Sequence, residues 1–188
     1  YASVPGLKVV QPFSAADAKG LLLAAIEDPD PVLVMEHMAL YNTRGPVPED
    51  YYTVPLGSAS VVREGTDLTI MAVSFMVRRA LEAAEQLDAE GVSVEVVDPR
   101  SLSPLDVDTL AGSAAKTGRG VVVDESPPRC SIAADLAAPV GGQAFGQLRA
   151  PIQRVNAPHS PVPLSPSLEQ AYIPSVERIL EAARRALG

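Results

Sequence analysis

The stretch EVVDPRSLSPLDVDTL, residues 95–110, turns a strand into a helix within a few residues. The valine-rich run before it stops short of Pro99, because proline has no N–H to give to a strand ladder. Ser103 then stands where an N-cap is wanted. Pro104 falls in the first helical turn, where its missing N–H costs nothing, and Asp106 takes the third helical position. The pattern predicts a sharp corner from a central strand into a covering helix over 104–116.

Working outward, the same alternation repeats. Towards the N-terminus, residues 75–90 place Met76, Ala80, Leu81, Ala84 and Leu87 on one stripe with charges opposite, and Gly91 follows as a C-cap. Ahead of that helix, SASVVREG and DLTIMAVS read as two strands joined by a hairpin at Glu64-Gly65-Thr66. Towards the C-terminus come the strand RGVVVDES, a helix over 131–138, the strand IQRVNAP and a closing helix over 175–187. Strands alternating with helices predict an α/β domain.

The front is a smaller α/β piece. LKVV is a strand, Ser14 and Asp17 open a helix over 15–27, and PVLVMEH is a nearly all-apolar run suited to a strand buried on both faces. Residues 42–57 are rich in Pro, Gly and charge and follow neither period, which reads as a linker. The expected division is 1–41, a linker at 42–57, and a second domain at 58–188.

With 188 residues and 47% hydrophobic content the chain can bury one sizeable core or two modest ones. The 23 acidic residues outnumber the 15 basic ones, giving a net charge of −8, and no Lys/Arg run forms a footprint for nucleic acid. A basic protein surface is the expected kind of partner. A single cysteine, Cys130, fits a reducing compartment, and the cytoplasm is the expected location. No apolar run approaches the roughly 20 residues that span a bilayer. The sequence opens on Tyr1, without methionine and straight before a strand, which predicts the back part of something longer.

Taken whole, VEVVDPRSLSPLD followed by GRGVVVDES resembles the C-terminal domain of the transketolase-like family. Within that family it is similar to the beta subunit of the thiamine-diphosphate-dependent 2-oxo acid dehydrogenases. VPGLKVVQPFSAADAKGLLLAAIEDPDPVLVMEHMALY looks like the last part of that subunit's pyrimidine-binding domain, and APIQRVNAPHSPVPLSPSLEQAYIPSVERIL agrees at the end. The resemblance covers residues 1–188 but only the back of such a subunit.

It implies a transketolase-like α/β fold: the end of a pyrimidine-binding domain, then a C-terminal domain with a mainly parallel sheet covered by helices. It also implies a heterotetramer of two alpha and two beta subunits, with thiamine diphosphate and magnesium held between them. The alpha subunit carries the Gly-Asp-Gly and Asn-Asn motifs, which this chain lacks, and the essential glutamate lies upstream of Tyr1. The implied chemistry is attack of the cofactor ylid on a 2-oxo acid, loss of carbon dioxide and acylation of a lipoyl arm. Pyruvate is the first expected substrate, and the APHSPVPLSP loop points to acetoin as the alternative. This part alone is expected to be inactive, and a non-catalytic docking module is the reading of another class. A further implied partner is the basic subunit-binding domain of the dihydrolipoyl acyltransferase, held by the acidic surface.

The resemblance also places a structural potassium ion at the loop AAIEDPD, with Ala25, Ile26, Asp28 and Asp30 as ligands. Unpaired carbonyls at a helix end, with its negative dipole, suit a cation. His159 stands between prolines after the last strand. As a residue type histidine changes charge near neutrality, so it is a candidate acid, base or substrate contact, against the plainer reading of a surface-loop histidine. His37 falls at the carboxyl end of a strand, where α/β sites gather, and a structural role at the domain junction is expected of it. Cys130 beside Arg129 is a candidate reactive thiol, with small-residue packing as the expected role.

Overall fold

A computed structural model describes residues 1–188. In the front piece, β1 (Lys8–Val10), α1 (Ala15–Glu27) and β2 (Val32–Val34) form a βαβ unit, with β1 and β2 parallel and Lys8 opposite Val32. The Ser14 hydroxyl accepts from Asp17 N–H at 3.0 Å and so opens α1 as an N-cap. A 3-10 turn, Met38–Leu40, follows β2.

Residues 42–59 form neither helix nor strand and lie strapped along α1. Lys19 donates to the Pro48 and Asp50 carbonyls at 2.5 and 2.9 Å, and the Tyr52 hydroxyl to the Ala16 carbonyl at 2.8 Å. Gly20 makes the close approach possible, since a Cβ there would lie 2.5 Å from Val54 Cγ2.

The larger piece comprises β3 (Ser60–Arg63), β4 (Leu68–Ala72), α2 (Phe75–Ala89), β5 (Val94–Asp98), β6 (Ser101–Ser103), α3 (Val107–Thr117), β7 (Gly120–Asp124), α4 (Ile132–Gln143), β8 (Gln153–Asn156), α5 (Pro166–Tyr172) and α6 (Val176–Leu187). Its sheet runs β3-β5-β4-β7-β8, all parallel except β3. The three central strands are buried along their whole length, which is why their sequences read as largely apolar runs, valine-rich in β5 and β7, rather than alternating ones. On one face Met76, Ala80, Ala84 and Leu87 of α2 pack with Ile179 and Ala183 of α6 over Ile70, Val96 and Val123. On the other, Leu110 and Ala114 of α3 pack with Leu136 and Val140 of α4 over Met71, Val97 and Val122.

Several expectations are corrected. Strands β3 and β4 are not a hairpin, because β5 lies between them and pairs with both. A fully buried strand needs both edges hydrogen-bonded, and β5 obtains this only by separating its two predecessors. Gly65 crosses the start of β5 so tightly that a Cβ would lie 2.1 Å from Glu95 N and from the Val94 carbonyl carbon. Gly65→Ala therefore forces two backbones apart, and a loss of roughly 2 kcal/mol or more is expected in a denaturant titration.

The helix after the corner begins at Val107, not Pro104. Ser103 is not its cap: its hydroxyl donates to the Leu7 carbonyl at 3.1 Å, and Ser101–Ser103 forms β6, antiparallel to β1. Asp106 caps α3 instead, accepting from Thr109 N–H at 3.1 Å and from Ala59 N–H at 2.9 Å. Cys130 is exposed, with φ of 52°, rather than packed. Helix α5 was not visible as a pattern, and α4 runs on to Gln143 through Pro139.

Candidate functional site

The opening corner is where the two sheets are joined. After β5, Arg100 takes φ of 55° and its side chain, 13% exposed, bridges two segments. Nη1 donates to Asp17 Oδ1 of α1 at 3.0 Å, Nε to the Ser58 carbonyl at 3.0 Å, and Nη2 to the Ala59 carbonyl at 3.0 Å. The Arg100 carbonyl accepts from Gln11 N–H at 2.8 Å, continuing the β1–β6 pairing. Asp98 lies behind it, 1% exposed, with Oδ1 accepting from Arg100 N–H at 2.9 Å and Oδ2 without a partner. Burial pushes its carboxyl up to about 7, against the opposing pull of the Arg100 N–H, with the nearby Asp17 charge adding to the rise.

A second contact zone lies beside it, at the carboxyl ends of β1, β2, β4 and β7. The larger sheet reverses its winding between β4 and β7, so these ends flank the switch point at which α/β folds place ligands. A cleft of about 380 Å³ opens there, lined by Gln11 and His37 from the front piece and by Ser74, Asp124, Glu125 and Ser126 from the larger one. His37 reaches across it to Glu125, with Nε2 2.9 Å from Oε2. Ser74, at φ of 50°, donates from Oγ to the Pro12 carbonyl at 3.3 Å. Asp124 is raised by burial and held back by the N–H groups of Ser126 and Ala133, 3.1 and 3.4 Å from its oxygens. All three non-glycine residues with positive φ, Ser74, Arg100 and Cys130, follow the carboxyl ends of β4, β5 and β7. Such strain gathers where a fold holds a functional edge.

The sequence-predicted residues are not brought together. His159 is exposed on the loop after β8, while His37 sits in the junction. Ala25 and Ile26 lie in the last turn of α1, Asp28 is its C-cap and Asp30 follows two residues on. There Lys8 Nζ lies 2.7 Å from Asp28 Oδ1 and 3.1 Å from Asp30 Oδ2, and its hydrogen bond holds the Asp28 carboxyl below the usual range. Pro29 has no N–H to offer the Ala25 carbonyl, and the Asp30 N–H turns to Asp28 Oδ1 at 2.9 Å instead of to Ile26. No group of three or more His, Cys, Asp and Glu side chains is arranged to hold a metal. Glu125 and Arg100 were missed as junction residues. The signal for Arg100 was its place two residues after the buried strand β5, and Glu125, directly after the buried strand β7 and next to Asp124, carried the same one.

A front βαβ unit clasped to a mainly parallel sheet with one antiparallel edge defines an α/β protein of transketolase type. Residues 57–179 match the family described as "Transketolase, C-terminal domain", and the chain belongs to that family. It is 54% identical over 188 residues to the acetoin:2,6-dichlorophenolindophenol oxidoreductase subunit beta of Bacillus subtilis and 53% identical to that of Cupriavidus necator. It is 48% identical to the pyruvate dehydrogenase E1 component subunit beta of Bacillus subtilis. These alignments take in 99–100% of this chain, which spans 55% of the length of both acetoin relatives and 57% of the pyruvate one. Among solved structures, the split-gene transketolase described as an inactive beta4 tetramer superposes with a TM-score of 0.77 at 28% identity, covering 99% of this chain and 59% of that one. No helix is long and apolar enough to cross a membrane.

Proposed function

We propose that this chain is the back part of the beta subunit of the decarboxylating component of a thiamine-diphosphate-dependent 2-oxo acid dehydrogenase. In this reading residues 1–41 end a pyrimidine-binding domain, 42–57 link, and 58–188 form the C-terminal domain. The observation that carries it is likeness at about half of all positions, running without a break from the front βαβ unit to α6. Pyruvate is one substrate supported by the relatives. A second reading, acetoin, is favoured by the 54% and 53% identities to two acetoin oxidoreductase subunits.

The cofactor supplies the ylid chemistry. Its diphosphate and magnesium belong, in this reading, to the alpha subunit. What these residues contribute is position: the Arg100 clasp and the His37 contact hold the front unit against the larger sheet. The cytoplasm is the proposed location, in line with a single free cysteine.

Three finer assignments belong to the same proposal. Potassium is held at the end of α1 by Ala25, Ile26, Asp28 and Asp30, supported by the two carbonyls left open by Pro29 and Asp30. His159 contacts substrate from the carboxyl edge of the sheet. The acidic surface receives the basic subunit-binding domain of the acyltransferase. A second beta subunit is supported by the uncharged stripe Ala134, Ala138 and Gly142 on α4, continued past the helix end by the exposed Phe145, with Asp135 the one exposed charge on that helix.

The test is reconstitution of the full-length beta chain with its alpha subunit. Dichlorophenolindophenol reduction is then followed with pyruvate, branched-chain 2-oxo acids and acetoin. Turnover of one of these is the expected result. Failure of thiamine diphosphate to bind the reconstituted pair would instead favour the non-catalytic docking module. In the same preparation His159→Ala should lower turnover, potassium should raise the melting temperature over sodium, and acyltransferase binding should weaken with salt. Each assignment falls if its own readout does not move.

A further inference from the structure

His37 is held by three contacts that together determine where its protons sit. Nδ1 accepts from the Ala39 N–H at 3.2 Å, capping the 3-10 turn Met38–Leu40. Nε2 must then carry the proton of the neutral ring, and it faces Glu125 Oε2 at 2.9 Å across the junction. The ring itself stacks on Phe75, the first residue of α2, with centroids 5.1 Å apart and planes 15° from parallel. The neutral ring therefore satisfies both nitrogens, one within the front piece and one across to the larger sheet.

We infer that His37 is a proton-operated latch between the two pieces: a proton taken up at Nδ1 charges the bond to Glu125 and at the same time evicts the Ala39 N–H. An Nδ1 that carries hydrogen cannot accept, so the turn at 38–40 loses its cap in the step that tightens the junction. One proton is bound and one hydrogen bond is exchanged for a charged pair, which is the stronger kind.

The carboxylates around the ring favour the charged form, and the Ala39 N–H at Nδ1 favours the neutral one. The Glu125 hydrogen bond raises His37 above the ordinary imidazole range, burial opposes it, and the charges of Glu125 and of Glu169 on α5 add to the rise. Glu36, next to it in sequence, accepts from the Tyr41 hydroxyl at 3.2 Å. Asp124 at the end of β7 is held by backbone N–H groups. The one cation on α2 near the stack is Arg79, 5.6 Å from the Phe75 ring centroid. Because the folded form binds the proton more tightly than the unfolded chain, the stabilisation is fully present below pH 6.5. It is lost as the pH rises through the folded value.

The test is an NMR titration of the full chain. It has two histidines, so His37→Asn assigns the His37 ring signals by their disappearance. In the wild type, Ala39 amide exchange, corrected for its intrinsic pH dependence, should quicken about five- to tenfold on protonation of His37, the factor lost with one hydrogen bond. Glu125→Gln, an isosteric change at a partly exposed site, should lower the His37 midpoint. Equal Ala39 protection on both sides of the midpoint would overturn the inference using the wild type alone. An unchanged midpoint in Glu125→Gln would overturn it independently.

Discussion

Arg100→Ala is expected to lower stability by about 2–3 kcal/mol, between the small effect of exposed ion pairs and the larger one of fully buried pairs, because this charge pair is partly buried and hydrogen-bonded. The guanidinium is 13% exposed and Asp17 19%, so little water can replace what is lost. Its removal leaves the Asp17 carboxylate without a counter-charge and two carbonyls, of Ser58 and Ala59, without their donor. Arg100→Lys should recover only part of the loss, because an ammonium cannot reach three acceptors that a planar fork meets at once. The check is urea unfolding followed by two probes: front-piece tyrosine fluorescence and far-ultraviolet circular dichroism. Wild type should give coincident transitions, whereas Arg100→Ala should melt the front piece first. Coincident transitions and a change under about 1 kcal/mol would mean that the sheets are held elsewhere.

The second large effect belongs to Asp98. Its carboxyl stands at about 7 in the fold against 3.8 in the free side chain. Between those values the unfolded chain has released the proton and the folded chain still binds it. Stability attributable to this group therefore falls as pH rises, by up to about 1.4 kcal/mol per unit, and levels off above 7. Over the whole interval the loss is on the order of 4 kcal/mol, an upper figure because the fold can relax around the ionised group. Asp98→Asn keeps an oxygen for the Arg100 N–H and removes the ionisation. Thermal melts of both proteins from pH 4 to 8 should show the variant gaining on the wild type as pH rises, with no gain near pH 4. A difference that does not vary with pH would show that Asp98 stays in one protonation state throughout.

Asp98 and His37 titrate at the same junction with opposite consequences for charge. Below neutrality the folded chain holds a proton on a buried acid beside the Arg100 clasp, and Glu125 favours one on the histidine across the cleft. Both protonated forms favour contact between the front piece and the larger sheet. Alkaline conditions are therefore the ones expected to loosen it.

Much of this arrangement follows from local pattern. The valine-rich runs mark β5 and β7 because a strand buried on both faces has no polar side to show, and the Met76–Leu87 stripe marks α2 because one face alone meets the sheet. Ser14 and Asp17 mark the start of α1 for the same local reason: the group that caps a helix sits within three residues of the N–H it serves. The motifs within DPRSLSPLD and GRGVVVDES were enough for the family, since the resemblance rests on residue types at fixed spacing.

Tertiary structure alone decided who sits beside whom. Strand β5 enters between β3 and β4 because its two open edges need partners, and no property of Glu64-Gly65-Thr66 distinguishes a hairpin from a crossing except the contact Gly65 makes with another strand. Ser103 has the residue type of a cap but spends its hydroxyl on Leu7, 96 positions away, and Arg100 finds Asp17 at a separation of 83. His37 and Glu125 meet in the same way, across the junction from the ends of two different sheets. A hydrogen-bonding side chain takes whichever partner the packed elements bring within reach, and that choice depends on distances the sequence does not contain.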